Sequence, residues 1–98
     1  MSQLYSLRQR AREDLESIWL YTLNHWDVEQ ADQYIRMVVD RFEWLTENPK
    51  AGKLRKDIQP GCYSIPIGSH LIFYQLIDHR PDILRILHQR ADVAHWLP

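Results

Sequence analysis

Apolar residues in the first half of the chain recur at the spacing of two amphipathic helices. The first stripe predicts a helix from about Arg8 to Asn24, and the second predicts a helix that opens at Asp27 and stops at Asn48-Pro49. Asp27 suits the N-cap position with Gln30 three residues on, and a residue before proline is pushed out of the helical region. The stripes comprise Ala11, Leu15, Ile18, Thr22 and Trp26, then Ala31, Ile35, Val38, Phe42 and Leu45.

Strand-like runs fill the second half of the chain at 62–67, 70–77 and 82–89. Gly68-Ser69 and residues 78–81 supply the turns between them. A short run at 4–7 predicts a first strand, and the polar segment 50–59 predicts a loop. The run 70–77 is apolar on both faces, which is typical of a central strand.

This order predicts one α+β domain over residues 1–98, because three consecutive strands favour an antiparallel meander. We expect an N-terminal strand, an antiparallel helical hairpin and a three-stranded antiparallel meander. The expected core includes Ile18, Ile35, Phe42, Ile72 and Ile86. Simple alternation along the last strand places Leu84, Ile86, His88 and Arg90 on one face and Ile83, Arg85 and Leu87 on the other.

Charge divides the chain more sharply than its net value of −1 indicates. Residues 1–49 carry five Lys/Arg against nine Asp/Glu, whereas residues 50–98 carry seven against four. The helical half is therefore acidic and the sheet half basic, with the densest basic stretch at Lys50, Lys53, Arg55 and Lys56. That stretch is either a solvated loop or a patch for an acidic partner or for phosphates.

The rest of the composition favours a reducing, cytoplasmic setting. The single cysteine, Cys62, excludes an internal disulfide, and no apolar run has the length of a signal peptide or a membrane span. Cys62 fits a small buried apolar residue better than a nucleophile. The Cys and His residues lack zinc-ligand spacing, so we expect no metal and no cofactor.

The end of the last strand is the strongest candidate for chemistry, and two interpretations stay open. His88 could act as an acid–base group with Arg85 or Arg90 holding phosphate. Alternatively, Arg85 pairs with a helix acid and His88 hydrogen-bonds within the sheet.

The order and spacing of residues along nearly the whole chain resemble the ParE/RelE toxin superfamily, and within it the ParE branch. The resemblance implies a helical hairpin packed on a small antiparallel sheet. The residues that carry it are Ala11, Asp14-Leu15, Ile18-Trp19, Ala31, Tyr34, Leu45, Asn48-Pro49, Gly52, Arg55, Pro60-Gly61, Pro66-Ile67-Gly68, His70, Ile72-Phe73-Tyr74, Ile83, Ile86-Leu87-His88 and Arg90.

The resemblance implies the toxin of a type II toxin–antitoxin module, in a hetero-oligomer with a ParD-like antitoxin whose disordered arm folds on binding. The ParE branch is associated with inhibition of DNA gyrase, without catalysis and without direct specific DNA binding. The RelE branch is a ribosome-dependent mRNA endoribonuclease and is the alternative. Some RelE-like nucleases carry an Arg where Leu71 stands here, and they end the last strand with His or Tyr near Gln89-Arg90, which weakens that alternative.

Two binding surfaces follow as expectations. The chain has more Trp and Tyr residues than one stripe per helix can bury, and such aromatics are favoured anchors for a partner. With basic residues to meet acids of the arm, the expected antitoxin surface comprises Trp19, Trp26, Tyr34, Trp44, Arg55 and Arg85. The target is expected on Arg55, His88, Arg90 and Trp96. For the nuclease alternative, the catalytic set is His88, Arg85 and Arg90.

Overall fold

A computed structural model describes residues 4–93 and confirms the α+β fold. The predicted first strand is present at Ser6–Leu7, and one two-residue strand at Lys53–Leu54 supplements the predicted elements. The elements in chain order are β1 (Ser6–Leu7), α1 (Gln9–His25), α2 (Val28–Glu47), β2 (Lys53–Leu54), β3 (Tyr63–Ile67), β4 (His70–Ile77) and β5 (Arg80–His88). The prediction of an uninterrupted loop at 50–59 was wrong, because Lys53 and Leu54 pair with β3 despite their polar surroundings.

The described strands form one mixed sheet in the order β1-β5-β4-β3-β2. The predicted meander is β3-β4-β5, and β4 is central, as its apolar faces indicated. β1 runs parallel to β5, with Ser6 opposite Asp82. The sheet therefore extends beyond the meander at both edges.

The helical hairpin closes through a short link between His25 and Val28. The carboxylate of Asp27 accepts the Gln30 N–H at 2.8 Å, which confirms the predicted N-cap. The Trp19 indole donates to Asp32 at 2.9 Å and so joins the two helices side by side. α2 ends at Glu47, directly before Asn48-Pro49.

The core lies between the hairpin and one face of the sheet. Ile18, Phe42, Ile72 and Ile86 are buried there, as predicted. Ile35 is only partly buried, contrary to the prediction. It lies at the margin of the cluster, and a two-layer fold covers one side of each helix only.

A β-bulge shifts the alternation of β5. Arg85 pairs with Phe73 and Ile83 pairs with Tyr74, so Leu84 is an extra residue on the β5 side. Ile83 therefore joins Ile86 against the helices, whereas Leu84 and Leu87 lie in a second cluster with Cys62 and Phe73. The expected faces of this strand were wrong because simple alternation assumes no inserted residue.

A buried ion pair docks α1 onto β5. Asp14 accepts the Arg85 guanidinium through two hydrogen bonds of 2.8 Å each. The same carboxylate accepts the Ile86 N–H at 2.9 Å. β1 pairs only as far as Ile83, so Asp14 supplies the acceptor that a longer edge strand would have offered to Ile86.

A second buried carboxylate ties β1 and the start of α1 to the sheet. Asp82 accepts from the Ser6 hydroxyl at 2.6 Å, from the Gln75 amide at 2.9 Å and from Arg8. Burial alone would raise the pKa of Asp82, but the hydrogen bonds from Arg8, Gln75 and Ser6 outweigh burial and hold it below its usual value. Arg8 makes no side-chain cap at α1 and instead pairs with Asp82.

We predict that Asp14→Ala lowers the free energy of unfolding by roughly 3–5 kcal/mol, because it leaves a buried guanidinium and a strand N–H without their acceptor. Urea denaturation measures the change. Glu16→Ala, on an exposed position of the same helix, is the matched control and should change stability by less than about 0.5 kcal/mol. Equal stabilities for the two variants would contradict this prediction.

Candidate functional site

A groove of about 490 Å³ runs along the outward face of α2. Its residues recur at helical spacing on α2, and β3 contributes one wall: Gln33, Arg36, Met37, Asp40, Arg41, Trp44 and Ile67. Met37 is 39% exposed and Trp44 41% exposed. The Arg41 guanidinium lies over the Trp44 ring at 4.9 Å. The groove therefore combines an apolar floor with flanks that carry two arginines and one aspartate, which suits an apolar segment that also carries charged residues.

The wall of this groove is an open part of the sheet edge. Within the described residues, β2 pairs with Tyr63 and Ser64 and leaves the rest of β3 without a strand on that side. Pro66 is exposed there and has no N–H to donate. A partner beside Ile67 would therefore make side-chain contacts rather than a regular strand ladder.

The hairpin tip, residues 20–28, exposes several large apolar side chains. Trp26 is 64% exposed, and Leu20, Tyr21 and Val28 are exposed as well. The Tyr21 and His25 rings stack at 3.9 Å. Exposed aromatics at one end of a hairpin are suited to anchoring a partner protein.

Two of the predicted antitoxin residues are engaged inside the fold. Trp19 is half-buried, with its indole N–H on Asp32. Tyr34 is half-buried, and its hydroxyl accepts the Ser69 N–H at 3.0 Å and lies 2.6 Å from Nδ1 of His70. A Cβ at Gly68 would stand 2.6 Å from that hydroxyl, and Gly68 has φ +56, so this turn requires glycine.

His70 and His88 form a pair behind that turn. Their rings meet edge to face with centroids 5.4 Å apart. Nδ1 of His88 accepts the Arg90 N–H at 3.1 Å. Burial lowers the pKa of His70, and neighbouring His88 lowers it further, against an opposite effect of Asp14.

Two of the predicted basic residues, Arg55 and Arg85, are bound to acids within the fold. Arg85 is buried against Asp14, which agrees with pairing to a helix acid, whereas His88 accepts the Arg90 N–H just beyond the end of β5 rather than a group within the sheet. Arg55 binds Asp57 through two hydrogen bonds and also donates to Ser64 at 3.2 Å. Its backbone follows β2, but its guanidinium reaches over β4 and lies 5.7 Å from the centroid of the Phe73 ring. Arg90 is exposed, and Trp96 lies outside the described residues.

The centre of the sheet face opposite the helices is an apolar cluster, and the Arg55 guanidinium covers part of it at Phe73. Cys62 is fully buried there with Phe73 and Leu87, and Leu71 and Val93 pack against them. Burial raises the pKa of the Cys62 thiol, which disfavours the thiolate. In residues 4–93, no group of three or more His, Cys, Asp or Glu side chains could hold a metal ion. The part of the chain described here also contains no helix long and apolar enough to cross a membrane.

Sequence reasoning identified Trp44 but missed the rest of the groove. Met37 is apolar and by type resembles a core residue, yet it lines the groove beside Arg36 and Arg41. The sequence signal for the groove was a second stripe on α2 at 33, 37, 40 and 44, roughly on the opposite side of the helix from the buried positions.

Comparisons with known proteins agree on one family. The sequence profile described as ParE toxin of type II toxin-antitoxin system, parDE, matches residues 5–93. Toxin ParE1 of Mycobacterium tuberculosis is 38% identical over 94 residues, covering 95% of this chain and 96% of that relative. Toxin ParE1 of Caulobacter vibrioides is 38% identical over 92 residues, covering 93% and 95%.

A solved structure supports the fold. A chain of the chromosomal ParDE TA system from P. aeruginosa superposes with a TM-score of 0.74 at 20% identity, covering 86% of this chain and 92% of that chain.

His70 should make stability depend on pH. Its folded pKa lies below the unfolded value of about 6.5, so the neutral form stabilises the fold above that pH, and this contribution is lost as pH falls below it. We predict that the free energy of unfolding, measured with urea, falls as the pH is lowered from 7.5 to 5. His70→Gln should reduce the slope of this free energy against pH. His25→Gln, on the exposed tip, should retain it. An unchanged slope in His70→Gln would refute the assignment.

Proposed function

The chain belongs to the ParE toxin family of type II toxin–antitoxin systems, and from that premise we propose that it inhibits DNA gyrase and that a ParD-like antitoxin neutralises it. It is the toxin component of a type II module and has an antitoxin partner. We place the meeting of the toxin with gyrase and with the antitoxin in the cytoplasm.

The observation that carries the proposal is the groove on α2. A small fold with exposed Met37 and Trp44 beside cationic Arg36 and Arg41 fits a protein partner. The antitoxin arm places apolar side chains on the groove floor and acids against the arginines. It continues over Trp26 at the hairpin tip. Trp19 and Tyr34 stabilise the elements that carry this surface, through the hydrogen bonds of the Trp19 indole to Asp32 and of the Tyr34 hydroxyl to the Ser69 N–H.

The predicted basic residues are assigned separately to the antitoxin surface and to the gyrase surface. Arg85 is outside the proposed antitoxin surface because it is buried against Asp14. Arg55 contributes to the antitoxin surface only through the 20% of its side chain that is exposed, since its guanidinium is bound to Asp57. His88 and Arg90 remain exposed at the end of β5 and form the proposed gyrase surface, together with the C-terminal segment that contains Trp96.

Inhibition by binding accounts for the geometry better than mRNA cleavage does. Catalysis on a phosphodiester needs positioned cations around an acid–base group. Here the Arg85 guanidinium is bound to Asp14 and the Arg55 guanidinium to Asp57, and the centre of the sheet face away from the helices is apolar.

We predict that Trp44→Ala weakens antitoxin binding by about 2 kcal/mol or more, roughly 30-fold, because the indole forms much of the groove floor. Calorimetric titration with the antitoxin encoded by the neighbouring reading frame measures this. Ile77→Ala is the matched control, since Ile77 is an exposed apolar residue at the far end of β4. If Trp44→Ala binds as tightly as Ile77→Ala, the arm lies elsewhere.

We predict that the purified toxin blocks DNA supercoiling by gyrase without ribosomes and leaves ribosome-bound mRNA intact. Arg90→Glu should raise the half-inhibitory concentration at least about tenfold by placing an acid in a basic surface. Arg10→Glu, on exposed α1, should leave it unchanged. Normal gyrase activity together with mRNA cleavage that His88→Ala abolishes would establish the ribonuclease alternative instead.

A further inference from the structure

All three lysines of the chain lie within seven residues, at positions 50, 53 and 56. They belong to the segment that leads from α2 into β3, here named the lysine loop, residues 49–62. All three are exposed, and in the described part of the chain none forms a salt bridge. The chain's other cations are arginines, so its ammonium groups are concentrated on one surface.

The backbone of the lysine loop is fixed against the sheet. The Tyr74 hydroxyl donates to Pro49 O at 2.9 Å and accepts the Gly52 N–H at 3.0 Å. A Cβ at Gly52 would stand 2.7 Å from that hydroxyl and 2.9 Å from Ser64 O, so the close approach requires glycine. Further along, the Arg55 N–H donates to Cys62 O at 2.7 Å. The lysines therefore extend from a preorganised frame, which reduces the entropy cost of binding.

The acid within this loop does not neutralise the lysines. The Asp57 carboxylate accepts both Nε and Nη2 of Arg55, at 3.1 and 2.9 Å. The hydrogen bond from Arg55 lowers the pKa of Asp57 and keeps it charged, so the two residues balance each other. The charge of Lys53 also lowers the pKa of Asp57, and residues 50–57 still carry four Lys/Arg against one Asp.

The loop also contains an open sheet edge. β2 is the last strand of the described sheet, and Leu54 is 43% exposed between Lys53 and Lys56. Because the Arg55 N–H turns inward to Cys62, the backbone groups of Leu54 turn outward. An extended polypeptide can pair with those groups while its side chains reach the lysines.

This edge is continuous with the α2 groove. Ile67 forms the groove wall and Ser64, three residues earlier on β3, pairs with Lys53. An extended chain that leaves the groove at Ile67 reaches β2 after about 10 Å. One partner segment can therefore occupy both places.

We propose that the lysine loop and the outer edge of β2 bind an extended acidic segment of the antitoxin, which adds a short strand beside Leu54. This inference rests on the proposed antitoxin partner and deepens it by naming the chemistry of a second contact. A polypeptide suits the surface better than a nucleic acid because it can pair with the outward backbone groups of Leu54 and contact its exposed side chain.

The test uses the toxin–antitoxin complex and the free toxin. Acetylation with N-hydroxysuccinimidyl acetate, read by peptide mass spectrometry, should label Lys50, Lys53 and Lys56 in free toxin and about tenfold less in the complex. Hydrogen exchange at the Leu54 amide should slow in the complex, which a contact through charge alone would not cause.

Charge reversal provides the energetic test. The triple variant Lys50→Glu, Lys53→Glu, Lys56→Glu should bind the antitoxin at least about tenfold more weakly at low salt, with a smaller deficit at high salt. The control Arg10→Glu, Arg12→Glu reverses two exposed charges on α1 and should bind within about twofold of wild type.

The outcomes separate this inference from the proposed function. A complex of normal affinity whose lysines label as in free toxin overturns the inference alone. Failure of the antitoxin to bind wild-type toxin at all overturns both. Protection of the lysines by a 20-base-pair DNA duplex but not by the antitoxin also overturns the inference and identifies a nucleic-acid surface instead. An unslowed Leu54 amide overturns the added strand.

Discussion

The carboxylate of Asp14 is the contact on which the arrangement of the two layers depends. It lies on α1, yet it completes β5 by accepting the Ile86 N–H and holding the Arg85 guanidinium. A strand edge and a helix face thereby become one hydrogen-bonded unit across a sequence separation of 71 residues. Because the pair is largely buried, a shift of α1 would leave charge without a partner in an apolar setting. The helix position, and with it the outward face of α2, follows from this requirement.

The internal use of arginine determines which surfaces remain for function. Arg8 pairs with Asp82, Arg55 with Asp57 and Arg85 with Asp14. These pairs stabilise junctions between elements. Among the cations left outside are the lysines of the loop before β3 and the arginines that flank Trp44. Both sets border the same open side of the sheet.

Much of the architecture could be predicted because its signals are local. Two helical stripes, the Asp27 cap and the break at Asn48-Pro49 defined the hairpin within a residue or two. The face assignments of β5 failed because the bulge at Leu84 is set by pairing with β4 and leaves no mark in the alternation. β2 was missed for a similar reason, since Tyr74 anchors the loop from 22 residues away. The site was harder still: Met37 belongs by type to a core, and only the packed structure shows that α2 turns it outward.

The brevity of the sheet edges bears on how the free chain behaves in a crowded cell. β1 and β2 have two residues each, and Pro66 interrupts the donor pattern on the uncovered part of β3. Long, flat edges are the templates on which chains of one kind polymerise. This chain offers an edge too short for a copy of itself to extend upon, flanked by lysines that repel an identical edge. Growth of fibres by edge pairing is thereby disfavoured for a toxin released from its partner.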